Sequence, residues 1–217
     1  MKVIAFNGGP RKRWNTAMLL EKALEGAASR GAATELVHLY GLDYKGCISC
    51  FACKTKGGPS CGKCAVNDGL KPVLGKIGEA DALVFGSPVY LGGVTGEMHS
   101  FLERLVFQYL TYTDPPGSLF DRKIKTGFIY TMGVTEEIMG KMGYDRFMDF
   151  ISMFLMRTFG HSERLCSFDT LQFDDYSKYN APRFDPAAKA KRRREAFPLD
   201  LQKAFELGQR MAEDSFS

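Results

Sequence analysis

The sequence predicts an α/β domain: a three-layer sandwich around a five-stranded parallel sheet of order 2-1-3-4-5, with an extended arm and a helix at its C-terminal end. Three observations predict it. Five apolar runs of strand length alternate with stretches of helical periodicity over residues 1–171, and strands alternating with helices form a parallel sheet covered on both faces. Right-handed crossovers leave few ways to order five such strands, of which 2-1-3-4-5 is the common one. A chain of 217 residues suits one domain with an appendage and is long enough to bury a core.

The elements follow in order. Residues 2–6 read as the first strand, ending at Asn7-Gly8-Gly9-Pro10. A helix begins near Asn15, with Leu19, Leu20, Ala23, Leu24 and Ala27 at helical spacing, and Gly31 ends it. Residues 35–39 form the second strand. Residues 40–67 are irregular and carry the cysteines (the cysteine-rich loop proper is 45–67); a loop that long inside a domain is usually functional. Asp68 can cap a helix over 68–80, with Leu70, Val73, Leu74 and Ile77 on one face. Residues 82–86 are the third strand, 87–93 a loop, and 95–108 a helix. The fourth strand is 125–131. Residues 144–159 form a helix with an apolar majority, which predicts a buried helix. The fifth strand is 164–170, and Pro198 opens a last helix over 199–214. Between 172 and 197 the chain is polar, rich in Asp, Tyr and Pro, and reads as an extended arm. The domain is therefore 1–171, and 172–217 is an arm and helix lying on that domain or on a neighbouring subunit.

Composition excludes several functions. No apolar run reaches about 18 residues, so no membrane partner is expected. The start has one basic residue and an apolar stretch too short for a secretory core, which predicts a cytoplasmic protein. The net charge of +4 sits in patches such as Arg11-Lys12-Arg13, too weak a field to predict nucleic-acid binding. Five of six cysteines fall between Cys47 and Cys64. In a reducing compartment such clustering favours metal ligation or redox work over disulfides. Cys166 stands alone in a strand and reads as a small buried hydrophobe.

In a sheet of this order ligands bind beyond the carboxyl ends of the strands, where strands one and three diverge. Two loops supply that site. The first runs from Asn7 to Thr16. Its glycines, Gly9 among them, permit a tight turn and close approach of the backbone. The amides at the start of the next helix favour an anion. Asn15 and Thr16 add donors, while Arg11 and Arg13 add positive charge, so the loop reads as a phosphate cradle. It has neither the Gly-Lys-Ser/Thr of a nucleoside triphosphate loop nor the Gly-x-Gly-x-x-Gly of a dinucleotide site. The second loop is Ser87-Pro88-Val89-Tyr90-Leu91-Gly92-Gly93. Pro88 stiffens it, Tyr90 offers an aromatic face to a flat ring, and Gly92 leaves amides open. Thr131-Met132-Gly133 closes the fourth strand on the same edge.

Gly9-Pro10-Arg11 with Asn15-Thr16, then Ser87-Pro88-Val89-Tyr90 with Gly96 and Phe101-Leu102-Glu103-Arg104, resembles the NAD(P)H-dependent FMN reductases and iron–sulfur flavoproteins of the flavodoxin-like superfamily. Three separated motifs recur in order, over roughly residues 1 to 170. The resemblance implies a flavodoxin-like fold with the FMN phosphate on the first loop. It implies the ribityl chain and ring along residues 87–93, with Thr131 to Gly133 as the far wall. It also implies NAD(P)H as electron donor, a small-molecule acceptor, and a homodimer or homotetramer. Two positions depart from the family pattern: Gly9 stands where serine is common, removing one phosphate donor, and Trp14 stands where glycine is common.

The cysteine string is Cys47-x2-Cys50-x2-Cys53, then Cys61-x2-Cys64. The first three, with a fourth, have the spacing of a 4Fe-4S iron–sulfur cluster. Cys61 fits the gap; by the resemblance, aligning on Val66 and Asp68, Cys64 is the fourth ligand. Cys50, Cys53, Cys61 and Cys64 alternatively form two knuckles around zinc, and thiols without metal are the third reading. The loop follows strand two, which predicts that it shares the flavin's sheet edge.

With a flavin as the reactive group, no side-chain acid, base or nucleophile is expected to be catalytic. His38, His99 and His161 read as structural or exposed, Glu97 and Glu103 as helix-surface carboxylates, and Met98, Met132, Met153 and Met156 as core. Two functions are then carried forward: an FMN-dependent oxidoreductase reducing a quinone, a flavin or another small acceptor, and a non-enzymatic electron carrier fed by a ferredoxin. A metal-stabilised interaction module without cofactor is a third.

Overall fold

The computed structural model describes residues 1–213. Its strands are β1 (Lys2–Asn7), β2 (Ala33–His38), β3 (Ala82–Pro88), β4 (Lys125–Thr131) and β5 (Glu163–Ser167). They form one parallel sheet in the order β2-β1-β3-β4-β5, the flavodoxin-like arrangement. The helices are α1 (Asn15–Ser29), α2 (Lys71–Gly75), α3 (Gly96–Phe107), α4 (Glu136–Met142), α5 (Tyr144–Phe159), α6 (Pro186–Glu195) and α7 (Phe197–Met211). Among the described residues no helix is long and apolar enough to cross a membrane.

Alternation along the central strands builds two cores. Ile4, Phe6, Leu83, Phe85, Phe128 and Tyr130 point to the face covered by α3 and α5. Val3, Ala5, Ala82, Val84 and Ile129 point to the face covered by α1 and α7. Both sets are buried, which is why these strands read as continuous apolar runs. On the first face Phe6, Phe85, Phe128 and Tyr130 lie ring against ring across three strands, and Phe101 of α3 packs on the row. On the second face the small residues of β1 and β3 let α1 and α7 come close.

Five expectations need correction. Asp68 does not cap a helix over 68–80. α2 starts at Lys71 with Pro72 in its first turn, and Lys76–Glu79 continues as a 3-10 turn. Gly75 and Gly78 weaken the helix there, and the Asp68 carboxylate instead accepts from the Leu70 amide and pairs with Arg104. The segment 172–197 is not an extended arm, for it contains α6, started by the Asp185 side chain and Pro186. Its run of Lys and Arg has no apolar stripe, so periodicity could not reveal it. α4 was likewise not anticipated; Thr135 caps it and Gly143, at φ +69°, ends it. α5 is not buried all round. Met148, Ile151, Leu155 and Phe159 cover the sheet, while Phe150 and the expected core residues Met153 and Met156 are exposed. Finally, α7 begins at Phe197, with Pro198 in its first turn. Its expected last residue, Asp214, lies outside the described residues.

Candidate functional site

The carboxyl ends of β1, β3, β4 and β5 open onto one cleft. Its shape begins at Asn7. The Asn7 Oδ1 accepts from the Gly9 amide at 2.8 Å, and Thr95 Oγ1 donates to the Gly8 carbonyl at 2.6 Å. Gly8 lies so close to Met98 that an added Cβ would stand 2.7 Å from its Cβ. A Cβ on Gly9 would stand 3.1 Å from Asn7 Oδ1. The loop is therefore pinned from three sides, and it delivers the chain to the start of α1.

That start is bare. Trp14, at the cap position, makes no side-chain cap, and the amides of Asn15, Thr16 and Ala17 have no partner among the described residues. All three residues are buried. Unpaired buried amides cost about as much as a lost hydrogen bond, and together with the helix dipole they make a site for an anion. Arg11 stands beside them with its guanidinium 4.5 Å from the Trp14 ring centre.

Most predicted site residues meet here. Gly9, Arg11, Asn15 and Thr16 form one wall, and Pro88, Val89 and Tyr90 a second; Thr131, Met132 and Gly133 form the third. Thr16 and Thr131 join hydroxyl to hydroxyl at 2.8 Å across the floor. Four predicted residues do not line the cleft. Arg13 is exposed outside it. Ser87 is buried beneath, where its hydroxyl accepts the Thr95 amide at 3.0 Å. Leu91 is fully exposed at the tip of a turn closed by Tyr90 and Gly93, with φ +52°. Gly92 adopts φ +84° against the Tyr144 ring.

The fourth side came from residues not anticipated. Thr170 and Gln172, just beyond β5, line the cleft. The Leu171 carbonyl accepts from Trp14 Nε1 at 3.1 Å and from Asn15 Nδ2 at 2.7 Å; the Gln172 carbonyl accepts from Arg11 Nη1 at 2.6 Å. α6 then returns over the same edge. Arg193 donates to Asn15 Oδ1 at 2.8 Å, and buried Lys189 donates to the Gly133 carbonyl at 3.0 Å while pairing with Asp169. The signal was available: β5 ends on the same edge as β1, β3 and β4, so its outgoing loop belonged on the list.

His38 couples the first loop to pH. The Gly9 amide can only donate, so Asn7 must turn Oδ1 toward it and Nδ2 toward His38 Nδ1, 3.0 Å away. His38 Nδ1 is then the unprotonated nitrogen. Burial and the Lys12 charge hold its pKa below the usual 6.5. A histidine depressed in the folded state contributes stability above 6.5 that is lost as pH falls through the folded value. His38→Gln keeps an acceptor for Asn7 and removes the titration. Melting curves from pH 8 to pH 5 are expected to fall more steeply for the natural protein than for this variant. Parallel curves would show that His38 does not gate the loop.

The cysteine loop contains a second, shallow pocket, lined by Cys47, Cys50, Cys53 and Cys64; Cys61 is exposed and outside it. Ser49 and Phe51 adopt φ of +53° and +56°, turning the backbone between the first three cysteines. The Cys47 amide donates to Glu103 at 3.0 Å and the Cys64 amide to Gln108 at 2.8 Å. Glu103 is thus a loop anchor rather than a free surface carboxylate. Among the described residues no three His, Cys, Asp or Glu groups converge on a point for one ion. The loop leaves β2 at the cleft edge but runs down α3, so the pocket sits against Arg104 and Phe107. Those residues lie roughly 12–17 Å along the helix from its start at the cleft. The cysteines do not share the cleft's edge. Cys166, in β5, is half-buried, and burial pushes its thiol up to about 11.

A family model described as NADPH-dependent FMN reductase matches residues 1–136. The chain is 38% identical over 104 residues to an iron-sulfur flavoprotein of Methanocaldococcus jannaschii, covering 48% of this chain and 51% of that protein. It is 40% identical over 104 residues to an iron-sulfur flavoprotein of Archaeoglobus fulgidus, covering 48% of each. The chain spans about half the length of the curated relatives it matches. Among solved structures it is similar to an NAD(P)H:quinone oxidoreductase from Methanothermobacter marburgensis, with a TM-score of 0.71 at 19% identity over 96% of this chain and 98% of that one. An FMN-dependent NADH-azoreductase from Bacillus anthracis gives 0.64 at 12% identity, over 98% of this chain and 100% of that one. At these identities the structural likeness shows the fold.

Proposed function

The chain belongs to the NADPH-dependent FMN reductase family, and from that premise we propose that its cleft binds FMN and that the protein is a flavin-dependent oxidoreductase. Its electrons come from NAD(P)H and go to a small acceptor such as a quinone or a flavin. The observation that carries this function is the uncapped start of α1, with its buried, unpartnered amides beside Arg11. Those donors suit a phosphate monoester, and the walls that follow suit a flat ring.

When bound, the flavin supplies hydride and single-electron chemistry. The chain's residues bind and orient it. The Gly9 turn and the α1 amides hold the phosphate end. Pro88, Val89 and Tyr90 hold the ring from one side, and Thr131, Met132 and Gly133 from the other. Leu171 and Gln172 lock the first loop to the end of β5. The test is titration of apoprotein with FMN, then mixing with NADPH or NADH under anaerobic conditions. Saturable binding and bleaching of the flavin by a nicotinamide nucleotide support the function; no FMN uptake overturns it.

A second function is favoured by the shared cysteine pocket: electron transfer through a 4Fe-4S cluster held by Cys47, Cys50, Cys53 and Cys64, fed by a ferredoxin. The placement of Cys61 outside the pocket counts against the zinc knuckles, which need it. Bound flavin indifferent to both nicotinamides would support the carrier over the reductase. We also propose that the chain works as a homodimer or homotetramer. The groove between α3 and α5, lined by Leu102, Val106, Phe147, Phe150, Ile151 and Phe154, is apolar and open. Exposed apolar grooves of this kind mark association surfaces.

A further inference from the structure

Arg104 is the largest fully buried side chain of the described residues, only 2% exposed. Its Nη1 donates to the Lys45 carbonyl at 3.1 Å and to the Asp68 carboxylate, and its Nη2 to the Val66 carbonyl at 3.4 Å. Its Nε has no partner among the described residues. The side chain lines the cysteine pocket together with Cys64. A buried donor left without an acceptor costs about 1–3 kcal/mol, more when charged. Asp68 and the Lys45 and Val66 carbonyls engage the two Nη atoms, and the side chain as a whole borders the cysteine pocket.

We propose that Arg104 is the built-in counter-charge of the cysteine centre, offering a positive charge and a hydrogen-bond donor to the Cys64 sulfur, while Asp68 tempers that charge from behind. The inference rests on the reading of Cys47, Cys50, Cys53 and Cys64 as cluster ligands. Hydrogen bonds and charge beside the ligand sulfurs tune a cluster's potential, because the reduced form carries one more negative charge. Arg104 is thus a positioning and tuning residue, and the sign of its effect is fixed. Removing it makes reduction harder; removing Asp68 makes it easier.

The test uses the full chain, reconstituted anaerobically with iron and sulfide. Potentiometric titration is followed by visible absorbance and electron paramagnetic resonance. Arg104→Gln is expected to shift the reduction equilibrium about tenfold toward the oxidised form, or about 59 mV lower for a one-electron couple. Asp68→Asn is expected to shift it the other way, and Arg104→Lys to fall between. Cluster potentials that do not move, or that move in the same direction in both variants, overturn the proposal, because a merely structural role gives no opposite signs. Should Arg104→Gln fail to fold, Asp68→Asn still decides by its sign. If the natural protein takes up no iron and sulfide, the cluster reading itself falls, and this proposal with it.

Discussion

Replacing Gly208 with alanine is expected to destabilise the fold by about 3 kcal/mol, at the upper end of overpacking costs, and to weaken FMN binding with it. α1 and α7 meet backbone to backbone. A Cβ on Gly208 would stand 2.6 Å from the carbonyl carbon of Ala23, and a Cβ on Gly26 would stand 2.8 Å from that of Phe205. Each helix thus sets a glycine against the other's main chain. No side chain can rotate away to make room, so one helix must translate. Helix propensity pulls in the opposite direction, since alanine is better than glycine by about 1 kcal/mol in a helix interior. The sign of the change therefore reports the contact. Gly140, inside α4 with nothing within 4 Å of an added Cβ, is the control, and Gly140→Ala is expected to be neutral or stabilising. Denaturant midpoints at unchanged m-value measure both. The functional consequence follows from geometry: α7 is the buttress that fixes α1, and the first amides of α1 are the candidate anion site. A Gly208→Ala protein as stable as the natural one would mean that the two helices are not so close.

How far the sequence revealed these features depends on what kind of order each one has. The strands were legible because each central strand is buried on both faces, so that Val3 to Phe6 and Ala82 to Phe85 are apolar without a break. The order of the sheet came from chirality, which needs no side-chain detail. α6 was illegible by periodicity because Lys189 to Arg194 carries charge around most of its circumference. Its Asp185-Pro186 start was the available cue. The approach of α1 to α7 left only two glycines in the sequence, and a glycine in a helix does not announce what it touches. The buried side of α5 was predicted too broadly for a related reason. An apolar majority shows that a helix is covered, not by what, and Phe150, Met153 and Met156 face away from this chain's own core.

The candidate site was legible where it is local and hidden where it is assembled. Gly9, Asn15 and Thr16 lie within one strand-to-helix connection and the first turn of the helix it enters, so their chemistry could be read together. Gln172 stands far along the chain, and only the sheet brings its carbonyl to Arg11. In the sequence Arg104 is one residue of a motif on a helix. That it is buried, and that its partners are Asp68 and the cysteine loop, follows only from how residues 45–68 fold back along α3.

Arg11→Glu is expected to lower FMN affinity about 100-fold while leaving riboflavin affinity unchanged. Riboflavin has the same ring and ribityl chain and lacks only the phosphate, so the ratio of the two dissociation constants isolates the phosphate's share. A hydrogen bond to a charged group contributes about 1.5–3 kcal/mol, and each 1.4 kcal/mol is tenfold in affinity. The natural protein should therefore prefer FMN by two orders of magnitude or more, with the α1 amides and Arg11 both contributing. Charge reversal removes one attraction and adds a repulsion next to the same amides. Arg11 also packs on Trp14 and reaches the Gln172 carbonyl, so a general loosening of the loop must be told apart from a lost phosphate contact. Riboflavin makes that distinction, since a loosened loop weakens both ligands. Arg11→Lys keeps the charge without the fork and should recover part of the preference. Raising the salt concentration should narrow the gap in the natural protein more than in Arg11→Glu, because Arg11 is exposed and its attraction is screened. Equal losses for FMN and riboflavin would move the phosphate away from the start of α1, and the orientation proposed for the flavin would have to be abandoned.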